Sequence, residues 1–445
     1  MVSGPVSLIL LAIAVFLIIV GTSRLKISAF LVLILVAYFY GMAIGIPASK
    51  VMTVVREGFG GLITKVGLIY LFGTIMGTIL EKSGAAVSIT NFILKVVGKK
   101  HAPLAMAFSG YVVSIPINCD PGFIILTPVN KGLSKETGYS MTTMSVALGG
   151  GLLCTHAMVP PTAGPISAAA TLNADLAQVI LFGLITSFFA TIVAWLWATK
   201  YCPKYMVKPE GGESYQDIVN QFGKLPHVAH AIAPVIYPLV IICLNSFAQM
   251  ASRPFGENLF TTILAVLGDP STALLCSVFI ALTLVPLKML PTAVAQGGWV
   301  GDAMKDAALI MFVTAAGGAF GAVLAASPMV GFIEEMAVTW NLGIFLPFIV
   351  AAVLKTAQGS STVSIVTTAS IMAPMLGTLG IHPAVATLVI GAGAMVVSHT
   401  NDSYFWVVTQ FSGFDVDLSL KTYTVMTGLM GIVSFAVLFV INMLV

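Results

Sequence analysis

Apolar runs recur along nearly the whole chain, near 6–21, 28–46, 59–80, 140–172, 176–198, 231–250, 271–287, 307–326, 382–410 and 422–445. A helix crosses the hydrocarbon core with about 20 apolar residues. The pattern therefore predicts an all-α polytopic membrane protein with about ten transmembrane helices. Two more apolar stretches, 102–138 and 344–376, are interrupted by prolines and polar residues. Each arm is too short to cross comfortably, so both are predicted to be re-entrant hairpins. The longest polar stretch, 200–230, divides the chain near its middle and reads as a cytoplasmic linker.

Composition narrows the class. Of 445 residues, 58% are hydrophobic and 8% charged, whereas soluble domains carry about 25% charged residues. A soluble enzyme, a nucleic-acid binder and a disordered linker are all excluded. A net charge of +3 gives no reason to expect a polyanion partner. The five cysteines form no C-x-x-C pair, so neither a metal cluster nor a disulfide framework is expected. The N-terminus lacks a cationic leader, and the first run is expected to be a retained span. With the N-terminus outside, most Lys and Arg fall on the cytoplasmic side, leaving Lys50, Arg56 and Arg253 outward and Lys65 and Lys355 at membrane depth. The positive-inside bias favours that orientation, with both termini periplasmic.

The two halves resemble each other. Gly73-x3-Gly77-x2-Leu80-x2-Ser83 matches Gly317-x3-Gly321-x2-Leu324-x2-Ser327, Leu126-Thr127-Pro128 matches Met372-Ala373-Pro374, and Thr155-His156 matches Ser398-His399. The offsets, 244, 246 and 243, are nearly constant. Residues 1–199 would form one repeat, with scaffold helices 6–46, the hairpin 102–138 and a broken helix 140–172. Residues 231–445 would form the other, with scaffold helices 231–287, the hairpin 344–376 and a broken helix 382–410. Five spans per half invert the second repeat in the membrane. Inverted repeats with helices broken at the midplane belong to secondary transporters.

Four polar stretches mark the predicted site. Non-helical backbone survives at membrane depth only when buried in protein or lining a wet cavity. The first stretch, Ile115–Gly122, offers Asn118, Cys119 and Asp120 between two prolines. The second, Thr155–Pro165, offers Thr155, His156 and Thr162 among three prolines. The third, Lys355–Thr362, is a hairpin tip with Gly359, Ser360, Ser361 and Thr362. The fourth, Ser398–Ser403, holds His399, Thr400, Asn401 and Asp402 in an otherwise apolar segment. Helix N-termini carry free donors and partial positive charge, which suits a carboxylate. Ionisable residues at this depth are functional candidates. Asp120, His156, His399 and Asp402 are the candidates for proton coupling, and the two aspartates could instead hold Na⁺. Glu334 and Glu335 read as the end of an interfacial helix, and Lys65 as a side chain snorkelling to the headgroups.

At these stretches the chain resembles the gluconate permease family of bacterial secondary transporters, which also includes D-serine permease. The matching parts are His156 with Pro160-Pro161 and Gly164-Pro165, then Gly359-Ser360-Ser361-Thr362-Val363, and Ser398-His399-Thr400-Asn401-Asp402 with Phe405-Trp406. Family members commonly carry Glu-Val-Gly where this chain has Asp120-Pro121-Gly122, and a second His where it has Thr162. The resemblance implies inner-membrane uptake of a small hydroxylated carboxylate, such as gluconate or glycerate, by proton symport. It also implies kinship with a superfamily whose members are often homodimers, with a scaffold and a moving transport domain. The implied partners are an organic anion, the proton or Na⁺, and the lipid bilayer, with no cofactor, metal or nucleic acid. A passive anion channel is an alternative. An intramembrane hydrolase is not favoured, since neither H-E-x-x-H nor G-x-S-x-G is present.

Overall fold

The computed structural model describes residues 2–209, 225–249, 254–329, 332 and 343–445. The centre of the 200–230 linker, Arg253, Glu334 and Glu335 lie outside the described residues. All described regular structure is helical. In the first half, α1 (Gly4–Ile19) and α2 (Ala29–Ala43) lead into α3 (Ala48–Lys82) and α4 (Ala85–Val97). The pair α5 (Ala102–Val113) and α6 (Cys119–Thr137) follows, then α7 (Met141–Met158), the short α8 (Ala163–Thr171) and α9 (Leu176–Lys200). The second half begins with α10 (Val228–Ala248), α11 (Leu259–Leu267) and α12 (Pro270–Leu282), then α13 (Trp299–Ala325). After it come the pair α14 (Phe345–Gln358) and α15 (Ser361–Met372), the pair α16 (Pro383–Gly393) and α17 (Ser403–Ser412), and α18 (Val425–Asn442).

The count of spans differs from the expected ten. Among the described residues, eight helices are long and apolar enough to cross a membrane, or nine if one bent pair counts as a span. The bent pair is α11 and α12, which meet at 74°. The pattern predicted a single span at 271–287. The bend has a local cause: Asp269 accepts hydrogen bonds from the Ser271 and Thr272 amides, and Pro270 opens α12, so a new helix starts there. The apolar runs behind α2 and α16 yield helices of only 15 and 11 residues. Conversely, the second arm of the 344–376 hairpin continues to Leu379 and is long enough to cross by itself. Helix α4 was not anticipated at all. Gly84, at φ 77°, turns the chain after α3, and an amphipathic helix follows.

Packing centres on α7, whose residues are buried without exception. Its triple glycine, Gly149–Gly151, removes the side chains that would hold neighbours off; a Cβ at Gly151 would collide with the Ala107 carbonyl of α5. Helices α3 and α13 form the most extensive helix pair, and between them they touch α2, α12, α8 and α15. Two glycines of the matched sequence pattern sit at close contacts of these helices. A Cβ at Gly77 would strike the Pro116 carbonyl in the α5–α6 tip, and one at Gly317 would strike Val366 of α15. Lys65 is exposed and has defined partners. Its ammonium donates to Asn173 Oδ1 at 2.8 Å and the Ala170 carbonyl at 3.2 Å, tying α3 to the C-terminal end of α8. A hydroxyl cluster makes a second tie: the Tyr70 hydroxyl of α3 meets Ser167 and the Ala163 carbonyl of α8, and Thr314 of α13 at 3.3 Å.

Candidate functional site: three helix N-termini around one cavity

The breaks in the helices are sharper than the sequence suggested. The first tip is Ser114–Asn118, closed by a hydrogen bond from the Ser114 hydroxyl to the Ile117 carbonyl at 2.9 Å. Asp120 and Pro121 already lie in the first turn of α6. The second tip is only Gly359 and Ser360, so Lys355 and Thr356 belong to α14, and Ser361 and Thr362 to α15. Residues 159–162 separate α7 from α8, with a cis bond between Pro160 and Pro161. Residues 394–402 separate α16 from α17.

These breaks bring three helix N-termini to one cavity of about 180 Å³. Asn118, Cys119, Asp120 and Pro121 come from the start of α6, Ser360, Ser361 and Thr362 from the start of α15, and Asp402, Ser403 and Tyr404 from the start of α17. His156 and Leu153 of α7 and Ile310 of α13 complete the wall. The first amides of a helix have no intrahelical acceptor, and the macrodipole places partial positive charge there. Three such ends facing one volume make it receptive to an anion.

The second tip is fastened to the 394–402 break. The Lys355 ammonium is fully buried and sits 2.5 Å from Asp402 Oδ2. It also donates to the Gly359 carbonyl. Asp402 further accepts from the Ser398 hydroxyl and, at 3.1 Å, from the Tyr404 amide, so it caps α17 while pairing with Lys355. Both His399 Nε2 and the Asn401 amide lie 2.9 Å from the Thr356 carbonyl, which can only accept; His399 therefore carries its proton on Nε2. Gly359 adopts φ 88°, and a Cβ there would collide with the Asn401 carbonyl.

Of the residues expected at the site, the cavity gathers Asn118, Cys119, Asp120, His156, Ser360, Ser361, Thr362 and Asp402. Thr162 lines instead an adjoining cavity of about 370 Å³, which shares Asn118, Pro121 and Ile310 with the first. This vestibule runs between α3 and α13 and reaches Glu81, Lys82, Asp302 and Asp306. Thr155 is fully buried and off the cavity, its hydroxyl 3.4 Å from the Gly151 carbonyl. Gly359, His399 and Asn401 hold the tip and the break together, and the Thr400 carbonyl accepts from the Trp406 indole of α17; none of the four lines the cavity. Leu153, Ile310 and Tyr404 were not anticipated. The first two are apolar residues in apolar helices and carry no sequence signal. Tyr404 follows the polar stretch directly, and its hydroxyl donates to the Gly149 carbonyl at 3.1 Å.

Comparison with known proteins gives the class. Residues 6–444 match the family model described as GntP family permease. An uncharacterized permease of Haemophilus influenzae is 33% identical over 95% of this chain and 89% of its own length. The inner membrane permease YgbN of Escherichia coli is 30% identical over 98% of each chain. The high-affinity gluconate transporter of the same organism is 27% identical over 98% of this chain and 100% of its own. The crystal structure of the YdaH transporter of Alcanivorax borkumensis superposes with a TM-score of 0.58 at 14% identity, covering 88% of this chain and 87% of that one; this likeness concerns the fold. The chain belongs to the GntP family of permeases. It is accordingly a multi-pass inner-membrane transporter and not an enzyme.

Proposed function

We propose that the protein imports a small hydroxylated carboxylate, a sugar acid such as gluconate or glycerate, by proton symport. The observation that carries this reading is the convergence of the α6, α15 and α17 N-termini on one small cavity. Free amides and the Ser360, Ser361 and Thr362 hydroxyls would bind the carboxylate, while Asn118 and neighbouring hydroxyls would bind the substrate's own. Several relatives of this chain are named as gluconate transporters, which favours this substrate class.

In the same reading, residues 1–199 and 231–445 are inverted repeats. The two hairpins and two broken helices form the moving part of an elevator, and α1, α2 and α10–α12 form the scaffold of a homodimer. The vestibule leads from the cavity towards Lys82 and Asp302, the cytoplasmic side by the positive-inside rule, so this conformation is inward-facing. The test is uptake of labelled gluconate and glycerate into proteoliposomes with imposed gradients. The expected result is accumulation against a concentration gradient driven by an inward proton gradient. Accumulation driven only by Na⁺ would overturn the coupling, and mere equilibration would make the protein a channel.

A further inference from the structure

We infer that Asp120 is the residue whose protonation admits the substrate anion, while the Lys355–Asp402 pair remains a fixed, electrically neutral part of the wall. This inference rests on the proposed transport of an organic anion and specifies how the proton enters it.

The argument is one of charge balance in a confined volume. The cavity contains two carboxyl groups, Asp120 and Asp402. Asp402 is spoken for: it receives the buried Lys355 ammonium, the Ser398 hydroxyl and the Tyr404 amide. Protonating it would leave a buried lysine without its counter-ion, which is strongly unfavourable. Asp120 is different. Among the described residues no cation pairs with it; its carboxylate accepts from the neighbouring Cys119 thiol, at 3.4 Å, and from Ser403. The other titratable groups around it are few. Helix α7 presents neutral-or-cationic His156, α17 presents Asp402 and Tyr404, and α14 presents Lys355 behind Asp402. Helix α5 has only Tyr111, whose hydroxyl is spent on the Leu184 carbonyl, and α4 only Lys95; neither lines the cavity. Lys99 pairs with Glu136 at the far end of α6.

With His156 as the neutral imidazole, its Nδ1 buried without a partner, an ionised Asp120 leaves the cavity with one net negative charge. A second anion entering this volume meets direct repulsion. Taking a proton from bulk water neutralises the Asp120 carboxylate and removes that repulsion, leaving the three helix ends to act on the substrate alone. Anion and proton then bind together, because each raises the affinity for the other by the same factor. Where Asp120 is ionised in the free protein, the apparent affinity falls about tenfold per pH unit.

The test is titration calorimetry of purified protein with gluconate, in buffers of different ionisation enthalpy and across a range of pH. The wild type is expected to take up one proton per gluconate bound. Asp120→Asn is expected to bind gluconate with no proton uptake and no pH slope. In proteoliposomes it should still exchange labelled gluconate but fail to accumulate it under a pH gradient. Proton uptake or pH-driven accumulation that survives in Asp120→Asn overturns the inference. Should Asp120→Asn not fold, the wild-type proton count and His156→Asn decide. No proton uptake in the wild type, or its loss with His156, overturns the inference. If no aldonate or short hydroxy acid binds at any pH, the substrate reading itself falls and takes this inference with it, an outcome distinct from gluconate binding with an unchanged slope.

Discussion

At the second hairpin tip the buried Lys355 ammonium meets Asp402 across 2.5 Å; at the first tip Asp120 faces the same cavity with no cation beside it among the described residues. Each half of the chain contributes one tip to the cavity, yet only one has its charge neutralised. The difference shows how a site can be receptive to an anion without an Arg clamp. One carboxylate is tied into the wall by a lysine, a hydroxyl and a backbone amide, and so serves as structure. The other retains the freedom to change its protonation state.

The comparison can be broken most forcefully at the ion pair. Lys355→Met leaves Asp402 buried and unpaired and is expected to cost about 3–5 kcal/mol in equilibrium unfolding in mixed micelles. Combining it with Asp402→Leu should recover much of that loss, because no uncompensated charge remains. Recovery by the double variant together with normal gluconate binding would show the pair to be dispensable, and would erase the contrast between the tips. Gly359→Ala is next, at about 2–3 kcal/mol, since a side chain is strained at φ 88° and its Cβ collides with the Asn401 carbonyl. Its effect should be larger on gluconate affinity than on the fold of α3 and α13, which amide exchange can separate. At the first tip, Gly77→Val forces α3 away from the Pro116 carbonyl and should cost about 1–3 kcal/mol, with transport slowed more than binding weakened. Asp120→Asn should change unfolding by less than about 1 kcal/mol, because the amide oxygen can still accept from Cys119 and Ser403 and no buried charge is left unpaired. A loss there as large as that of Lys355→Met would mean that Asp120 is structural too.

Much of the fold was legible in the sequence for a physical reason. Lipid cannot satisfy free backbone groups, so prolines, glycines and polar residues inside apolar runs could only mark breaks, and all four marked stretches proved to be breaks or tips. The site was legible to a lesser degree. Thr155 and His156 were equal candidates in the sequence, but adjacent residues in a helix point about 100° apart, and only His156 reaches the cavity. In the stretch His399–Asn401, which looked like a binding surface, the His399 and Asn401 side chains bind the Thr356 carbonyl at the C-terminal end of α14, a pairing that no local pattern announces.

By itself, then, the sequence determined that the chain lives in the membrane, where its helices break, which side its charges favour and which family it resembles. Those properties follow from local composition and spacing against the requirements of a bilayer. Only the tertiary structure decided that three helix N-termini share one cavity, that Ile310 closes its wall, and that Lys355 belongs to Asp402, 47 residues along the chain. Pairing between distant residues depends on how helices rotate and cross, and that is settled by packing, through contacts such as Gly151 on Ala107 and Gly77 on Pro116, not by any periodicity in the chain.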